Sequence, residues 1–284
     1  MNWLYSIILG LVQGLTEFLP VSSSGHLVLF ETLFGLNGPE SEGLFFDVLL
    51  HVGTLVSILV FYRKDIAEMI SEFFLWIRDL FGKEGKRQRD VPPARRLVFL
   101  IIVATVPLFL VLPFKGWLEG VRQMPWLVGV ALLVTGVLLF ASDRLAKGKK
   151  REKSTTWLDA LIIGLSQSIA VIPGLSRSGT TISTGIFRGL DRKFAVRFSF
   201  LMSLPAVIAA ALTETIDAVQ TGIDWSMLPV YLAGMAVAAV SGFFAIKLVR
   251  YIADRGRFGW FAFYCWAAGA TTIIVSIVTA ASAA

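Results

Sequence analysis

Residue types that lipid does not welcome stand close together near the start of this chain. Residues 13–26 read QGLTEFLPVSSSGH, placing Gln13, Glu17, Ser22, Ser23, Ser24 and His26 within a few turns of one another. A second cluster, PGLSRSGTT at 173–181, supplies Ser176, Arg177, Ser178, Thr180 and Thr181, with Gly174 and Gly179 among them. Both interrupt apolar stretches: residues 1–16 carry no charged side chain, and 27–30 read LVLF. A serine near a carboxylate and an imidazole can be an activated nucleophile. A carboxylate beside a phosphate can hold a divalent cation. Arg177 is a fixed cationic fork suited to phosphate oxygens. Glycine beside Ser or Thr at a helix start leaves backbone N–H groups free for an anion. Together these residues point to a phosphorylated substrate whose other part is at home in lipid.

The competing reading is structural. Ser and Thr in membrane helices often only bond backbone or let helices pack closely, so SSSG alone says little. Ionisable residues at membrane depth are costly and mark function by default, which separates Glu17, His26 and Arg177 from the hydroxyls. A purely structural Glu17–Arg177 ion pair is the rival account of those two, and His26 has the rival role of capping its own hairpin. Asp47 and His51 lie four apart on one helix face and read as an outer-end polar pair bracing a hairpin rather than a metal site. Gln13 reads as a partner for Glu17 or for unpaired backbone. Arg188, Arg192, Lys193 and Arg197 mark the cytoplasmic rim.

The elements that must position these groups are membrane helices. The 284 residues are 56% hydrophobic and 16% charged, against about 25% charged in soluble domains. Uncharged runs at 97–114, 124–142, 225–246 and 258–284 are each near or above the roughly 18–20 residues needed to span the hydrocarbon. Strand alternation is not visible, which argues against a β-barrel. No basic segment precedes the first apolar run, and Glu17 and Pro20 interrupt it, so it does not read as a cleaved signal peptide. The net charge of +6 reads as orientation-setting loops rather than as a nucleic-acid surface. The single cysteine, Cys265, lies in a spanning segment and forms no intrachain disulfide.

Charge sets the topology. Six Lys/Arg in 82–96 and six in 143–156 place those loops inside and the short piece 115–123 outside. The basic stretches 188–197 and 247–257 are inside again, and 214–224, with no Lys or Arg, is outside. Spans follow at 44–62, 97–114, 125–142, 194–215, 226–246 and 258–280, with an interfacial amphipathic helix at 66–81. Segments 1–36 and 157–187 must then each begin and end on one side, as re-entrant hairpins. Both are broken by Pro and Gly, a backbone tolerated at membrane depth only where protein buries it or a wet cavity receives it.

An offset of 154 residues superimposes the two hairpins: Gly10-Leu11 on Gly164-Leu165, Gln13 on Gln167, and Ser22, Ser24 and Gly25 on Ser176, Ser178 and Gly179. The expected fold is therefore an all-α polytopic membrane protein, a single membrane domain with an inverted-topology repeat. Each half, about 1–150 and 151–284, is a re-entrant hairpin plus three transmembrane helices, with polar sites near the midplane. Both termini are expected outside.

At 13–26, at 173–181 and at FDVLLHVGT (46–54), the chain resembles the undecaprenyl-pyrophosphate phosphatase family of the bacitracin-resistance type, and the pattern of spans extends the likeness over essentially the full length. The family's first motif begins with Glu or Gln; here it is Gln13, so Glu17 serves alone where some members offer two carboxylates. The resemblance implies hydrolysis of undecaprenyl diphosphate to the monophosphate and inorganic phosphate, recycling the lipid carrier for peptidoglycan synthesis and conferring bacitracin resistance. It implies a multi-pass protein of the bacterial cytoplasmic membrane, dependent on a divalent cation (Mg2+ or Ca2+), opening toward the periplasm and forming a homodimer. By the same resemblance Ser23 is the candidate nucleophile, with Ser22 and Ser24 as adjacent rivals. Glu17 is base or metal ligand, and His26 takes part in proton transfer. Ser176, Arg177, Ser178 and Thr181, with Gly174 and Gly179, hold phosphate. Whether Ser23 or a water attacks stays open. The rival class is a secondary transporter or lipid-phosphate flippase, which does not require the Ser–His–Glu set in one hairpin.

Overall fold

The computed structural model describes residues 2–34, 40–81, 91–145 and 148–283. The end of the first expected hairpin (35–36) and most of the basic loop 82–96 lie outside these residues. Among the described residues there is no strand, only an isolated bridge between Lys150 and Leu190.

The first hairpin is α1 (Trp3–Phe18) and α2 (Ser23–Phe34). The Asn2 side chain caps α1 by accepting the Tyr5 N–H at 2.8 Å. Leu19, held extended by the proline that follows it, ends the helix (φ −60°, ψ 139°). Then come α3 (Glu40–Phe61) and α4 (Arg63–Phe81), with an 83° bend between 45–61 and 63–79. The bend falls where Arg63 and Lys64 must leave the hydrocarbon. The α4 helix exposes Ile70, Phe73, Phe74 and Ile77 together, as an interfacial helix does. The next span is α5 (Pro93–Thr105), where Pro107 converts the helix into 3-10 turns at Val106–Leu110 and Leu112–Phe114. The short outside piece expected at 115–123 is itself helical, α6 (Lys115–Arg122). It is followed by α7 (Pro125–Leu145).

The second hairpin is α8 (Trp157–Ile169), opened by a Thr156/Asp159 capping box, and α9 (Arg177–Phe187). Three long helices complete the chain: α10 (Arg192–Thr221), α11 (Leu228–Arg255) and α12 (Gly259–Ala283). The α11 helix runs nine residues past the 246 boundary, because Arg250 lies over the Phe61 ring and Arg255 over Tyr251 instead of forming a loop. Among the described residues, five helical segments, and the bent α3–α4 pair as a sixth, are long and apolar enough to cross a membrane.

Packing rests on small residues, as it must where lipid tails are as apolar as leucine. Gly10 closes on the backbone of Gly234, and Gly14 on Ala238 and Ser241. Gly53 closes on Met235 and Ala238, and the Ser57 hydroxyl donates to the Ala239 carbonyl at 2.6 Å. These contacts climb in the same sense, so α1, α3 and α11 run parallel. In contrast, Gly129 meets Gly269 while Gly136 meets Ala262 and Trp266, so α7 and α12 are antiparallel. The core between the hairpins includes Phe18, Leu97, Leu100, Ile163, Ile182 and Phe198.

At the rim the expected basic residues are all ion-paired: Arg188 and Lys150 with Asp159, Arg192 with Asp143, Lys193 with Asp254, and Arg197 with Asp65 and Glu152. Burial alone would push the Asp159 carboxyl up. The Thr156 N–H, Lys150, the Thr156 hydroxyl and Arg188 outweigh it, and the group lies at about 2.

Candidate active site

Both hairpin tips are built the same way. Ser22 accepts the Gly25 N–H at 3.2 Å and lies 3.3 Å from the Ser24 hydroxyl. Ser176 accepts the Gly179 N–H at 3.1 Å and lies 3.2 Å from the Ser178 hydroxyl. Each serine thus caps the helix that follows, leaving Ser23 and Arg177 at the equivalent first helical positions. The tips interlock reciprocally: the Gly174 N–H donates to Ser24 at 3.2 Å, and the Ser178 hydroxyl donates to the Leu19 carbonyl at 3.3 Å. Their lateral walls are α7 and α12. Thr135 accepts the Ser176 N–H at 3.0 Å, Gly25 lies on Leu132, and Gly174, at φ +92°, lies on the Val128 backbone.

Glu17 stands at the junction. Its Oε2 accepts from Gln13 Nε2 at 3.1 Å and from the Ser23 hydroxyl at 2.9 Å, and its Oε1 accepts from Arg177 Nη2. The Glu17 side chain is 8% exposed and that of Arg177 21%. Glu17, Ser23 and Arg177 keep partial access, whereas Ser176, Ser178 and Thr181 are buried. A guanidinium and a hydroxyl poised on its proton acceptor therefore meet beside two helix N-termini.

The other expected site residues are distributed unevenly. Thr181 is turned from the cluster, bonded to Ser199 at 2.6 Å and to the Arg177 carbonyl. Gly179 lies against Ser176 and Pro20, so its missing Cβ lets the tips close. His26 does not reach Ser23: its Nδ1 is 2.7 Å from the Ser22 carbonyl and its Nε2 is 2.6 Å from the Tyr264 hydroxyl. Tyr264 went unnoticed in the sequence because an isolated tyrosine in an apolar span carries no spacing signal. His51, read above as an outer brace with Asp47, places its Nδ1 2.9 Å from the Asp47 main-chain carbonyl.

No group of three or more His, Cys, Asp or Glu among the described residues is arranged as a protein-only metal cage. A cation held jointly by protein and phosphate fits better. Glu17 is a hard oxygen donor, and the neighbouring Gln13 Oε1 is buried without a partner.

The fold and this junction define a polytopic helical membrane protein whose broken helices converge on a buried carboxylate–serine–guanidinium site. The chain belongs to the Bacitracin resistance protein BacA family, whose model matches residues 6–271. Its relatives include an undecaprenyl-diphosphatase of Alkaliphilus metalliredigens (strain QYMF), 41% identical over 274 residues, 96% of this chain and 98% of that protein. An undecaprenyl-diphosphatase of Carboxydothermus hydrogenoformans (strain ATCC BAA-161 / DSM 6008 / Z-2901) is 39% identical over 97% of this chain and 98% of its own length. One of Methanosphaera stadtmanae (strain ATCC 43021 / DSM 3091 / JCM 11832 / MCB-3) is 42% identical over the same shares.

Proposed function

We propose that this protein is an integral membrane phosphatase that hydrolyses undecaprenyl diphosphate to undecaprenyl phosphate and inorganic phosphate. It thereby recycles the lipid carrier for peptidoglycan synthesis and confers bacitracin resistance. The observation that carries the mechanism is the contact of Glu17 with Ser23 on one side and Arg177 on the other. Glu17 takes the Ser23 proton as Ser23 Oγ bonds the terminal phosphorus. The bond from that phosphorus to the bridging oxygen breaks, and the lipid monophosphate leaves. Water then attacks that phosphorus, the bond from phosphorus to Ser23 Oγ breaks, Glu17 returns its proton to the serine oxygen, and inorganic phosphate leaves with the water's oxygen and protons. Arg177 turns its fork from Glu17 to the transferring phosphoryl oxygens, and the N-termini of α2 and α9 face the developing charge.

The Glu17–Arg177 pair is neutral as a unit, so a diphosphate brings negative charge that the pair does not cancel. That imbalance favours a divalent cation, Mg2+ or Ca2+, held by Glu17 and Gln13 Oε1 together with substrate oxygens. When bound, such an ion supplies charge neutralisation at the phosphoryl oxygens.

Three features support an inverted repeat. The capping bonds of the tips match at the 154-residue offset, the links between tips are reciprocal, and neighbours are exchanged: α1 packs on α11 as α8 packs on α5. The proposed orientation puts the ion-paired rim in the cytoplasm of a bacterial inner membrane. Both termini are then outside, the site opens toward the periplasm, and the enzyme works as a homodimer.

Transport is not favoured, because a serine bonded to its base serves hydrolysis and not binding in transit. The test is phosphate release by the purified protein from the C55 substrate and from a soluble short-chain prenyl diphosphate, with no gradient present. Release from neither, with Glu17→Gln indistinguishable from wild type, would remove the proposal.

A further inference from the structure

The first hairpin tip carries a strained residue. Ser22 has φ +69°, the one positive φ at a non-glycine among the described residues. L-residues avoid this conformation, so surrounding bonds must hold it. The chief bond is from His26: a carbonyl only accepts, so the 2.7 Å contact from Nδ1 to the Ser22 oxygen puts the ring proton on Nδ1. Nε2 is then an acceptor, and it is filled by the Tyr264 hydroxyl at 2.6 Å. The two rings lie parallel, 1° apart, with centroids 5.5 Å apart. The next residue of α12, Cys265, directs its thiol at the Pro20 carbonyl at 3.5 Å. Thus α12 touches the turn at both ends, and neither His26 nitrogen is left for Ser23.

We propose that Tyr264 is a positioning residue of the phosphatase. It fixes His26 as the Nδ1–H tautomer, and His26 in turn holds the strained Ser22 turn that presents the Ser23 hydroxyl to Glu17. His26 is then a brace of the serine turn, and proton removal from Ser23 falls to Glu17. The inference rests on the hydrolytic reading above and adds to it a residue from the last helix of the chain.

Tyr264→Phe keeps the ring and its stacking while removing the donor. The expected result is a kcat lower by on the order of tenfold, the effect of one lost hydrogen bond, with KM changed by less than about twofold. The melting temperature in detergent should stay close to wild type. The chain has two histidines, so 15N-histidine labelling, with His51→Gln to assign the second signal, reads the His26 tautomer directly. Wild type should show His26 with a bare Nε2 in a strong hydrogen bond, and Tyr264→Phe should lose that bond's shift. Wild-type kcat in Tyr264→Phe, a loss seen only alongside a collapse in melting temperature, or an Nε2–H tautomer in wild type would each overturn the inference. If the wild type hydrolyses no diphosphate, the functional reading fails, while the spectrum still decides whether Tyr264 governs His26.

Discussion

Glu17→Gln tests the core of the mechanism because the structure says how the variant would rearrange. Glu17 accepts from three donors: Gln13, Ser23 and Arg177. A glutamine amide has one oxygen and one NH2. Arg177 offers only donors, so the new oxygen must face it, and the NH2 faces Ser23 and Gln13. Gln13 can turn its own amide and present Oε1, which has no partner in the wild type. The Ser23 hydroxyl can then only accept from the new NH2, and it has lost the base that would take its proton. The fold keeps its polar contacts, so the stability loss should be about 1–2 kcal/mol, below the roughly 3–5 kcal/mol of a buried charge left without any partner. Removing a general base lowers rates by about 10²–10⁴. Steady-state phosphate release in detergent should show kcat and kcat/KM falling together by that factor, with melting shifted by only a few degrees. A variant retaining more than about a tenth of wild-type kcat would refute the assignment of Glu17 as base.

Arg177→Gln leaves Glu17 its Gln13 and Ser23 donors but removes its countercharge, and Glu17 is the more buried of the pair, so melting in detergent should fall further than in Glu17→Gln; Glu17→Gln/Arg177→Gln should recover most of that stability and none of the activity. Gly174→Ala combines φ +92° with a Cβ driven into Val128, so the tips should part, with stability lower by about 2 kcal/mol or more and activity lost, measured by melting and phosphate release. Asp159→Asn should lose stabilisation on the order of 2 kcal/mol at neutral pH, since the folded carboxyl lies near 2, below its usual 3.8. A depressed carboxyl stabilises above its unfolded value and ceases to as pH falls through the folded one. The melting gap between wild type and Asp159→Asn should therefore be full above about pH 5 and close as pH drops from about 4 toward 2. Chelation should abolish phosphate release and added Mg2+ restore it, with Gln13→Ala raising the Mg2+ concentration needed.

Some of the physical signals that shape this protein are local in the chain. Long uncharged runs mark helices long and apolar enough to cross a membrane, because the hydrocarbon imposes that constraint residue by residue. Cost at membrane depth also singled out Glu17 and Arg177, which do meet. The sequence misplaced boundaries where proline or side-chain stacking decided them, as at Pro107 and in the extension of α11 to Arg255.

Other features required the tertiary structure. Spacing cannot tell that Ser23 Oγ points at Glu17 while Ser22 and Ser24 serve as cap and lock, since three adjacent hydroxyls are chemically alike until a backbone turn separates them. Nor can it bring Tyr264 to His26 across 238 residues. Lipid exposure is written along the chain as hydrophobicity, so one dimension determines the helices. The direction of a side chain is set by neighbours that folding alone brings together, and the arrangement of the site was decided there.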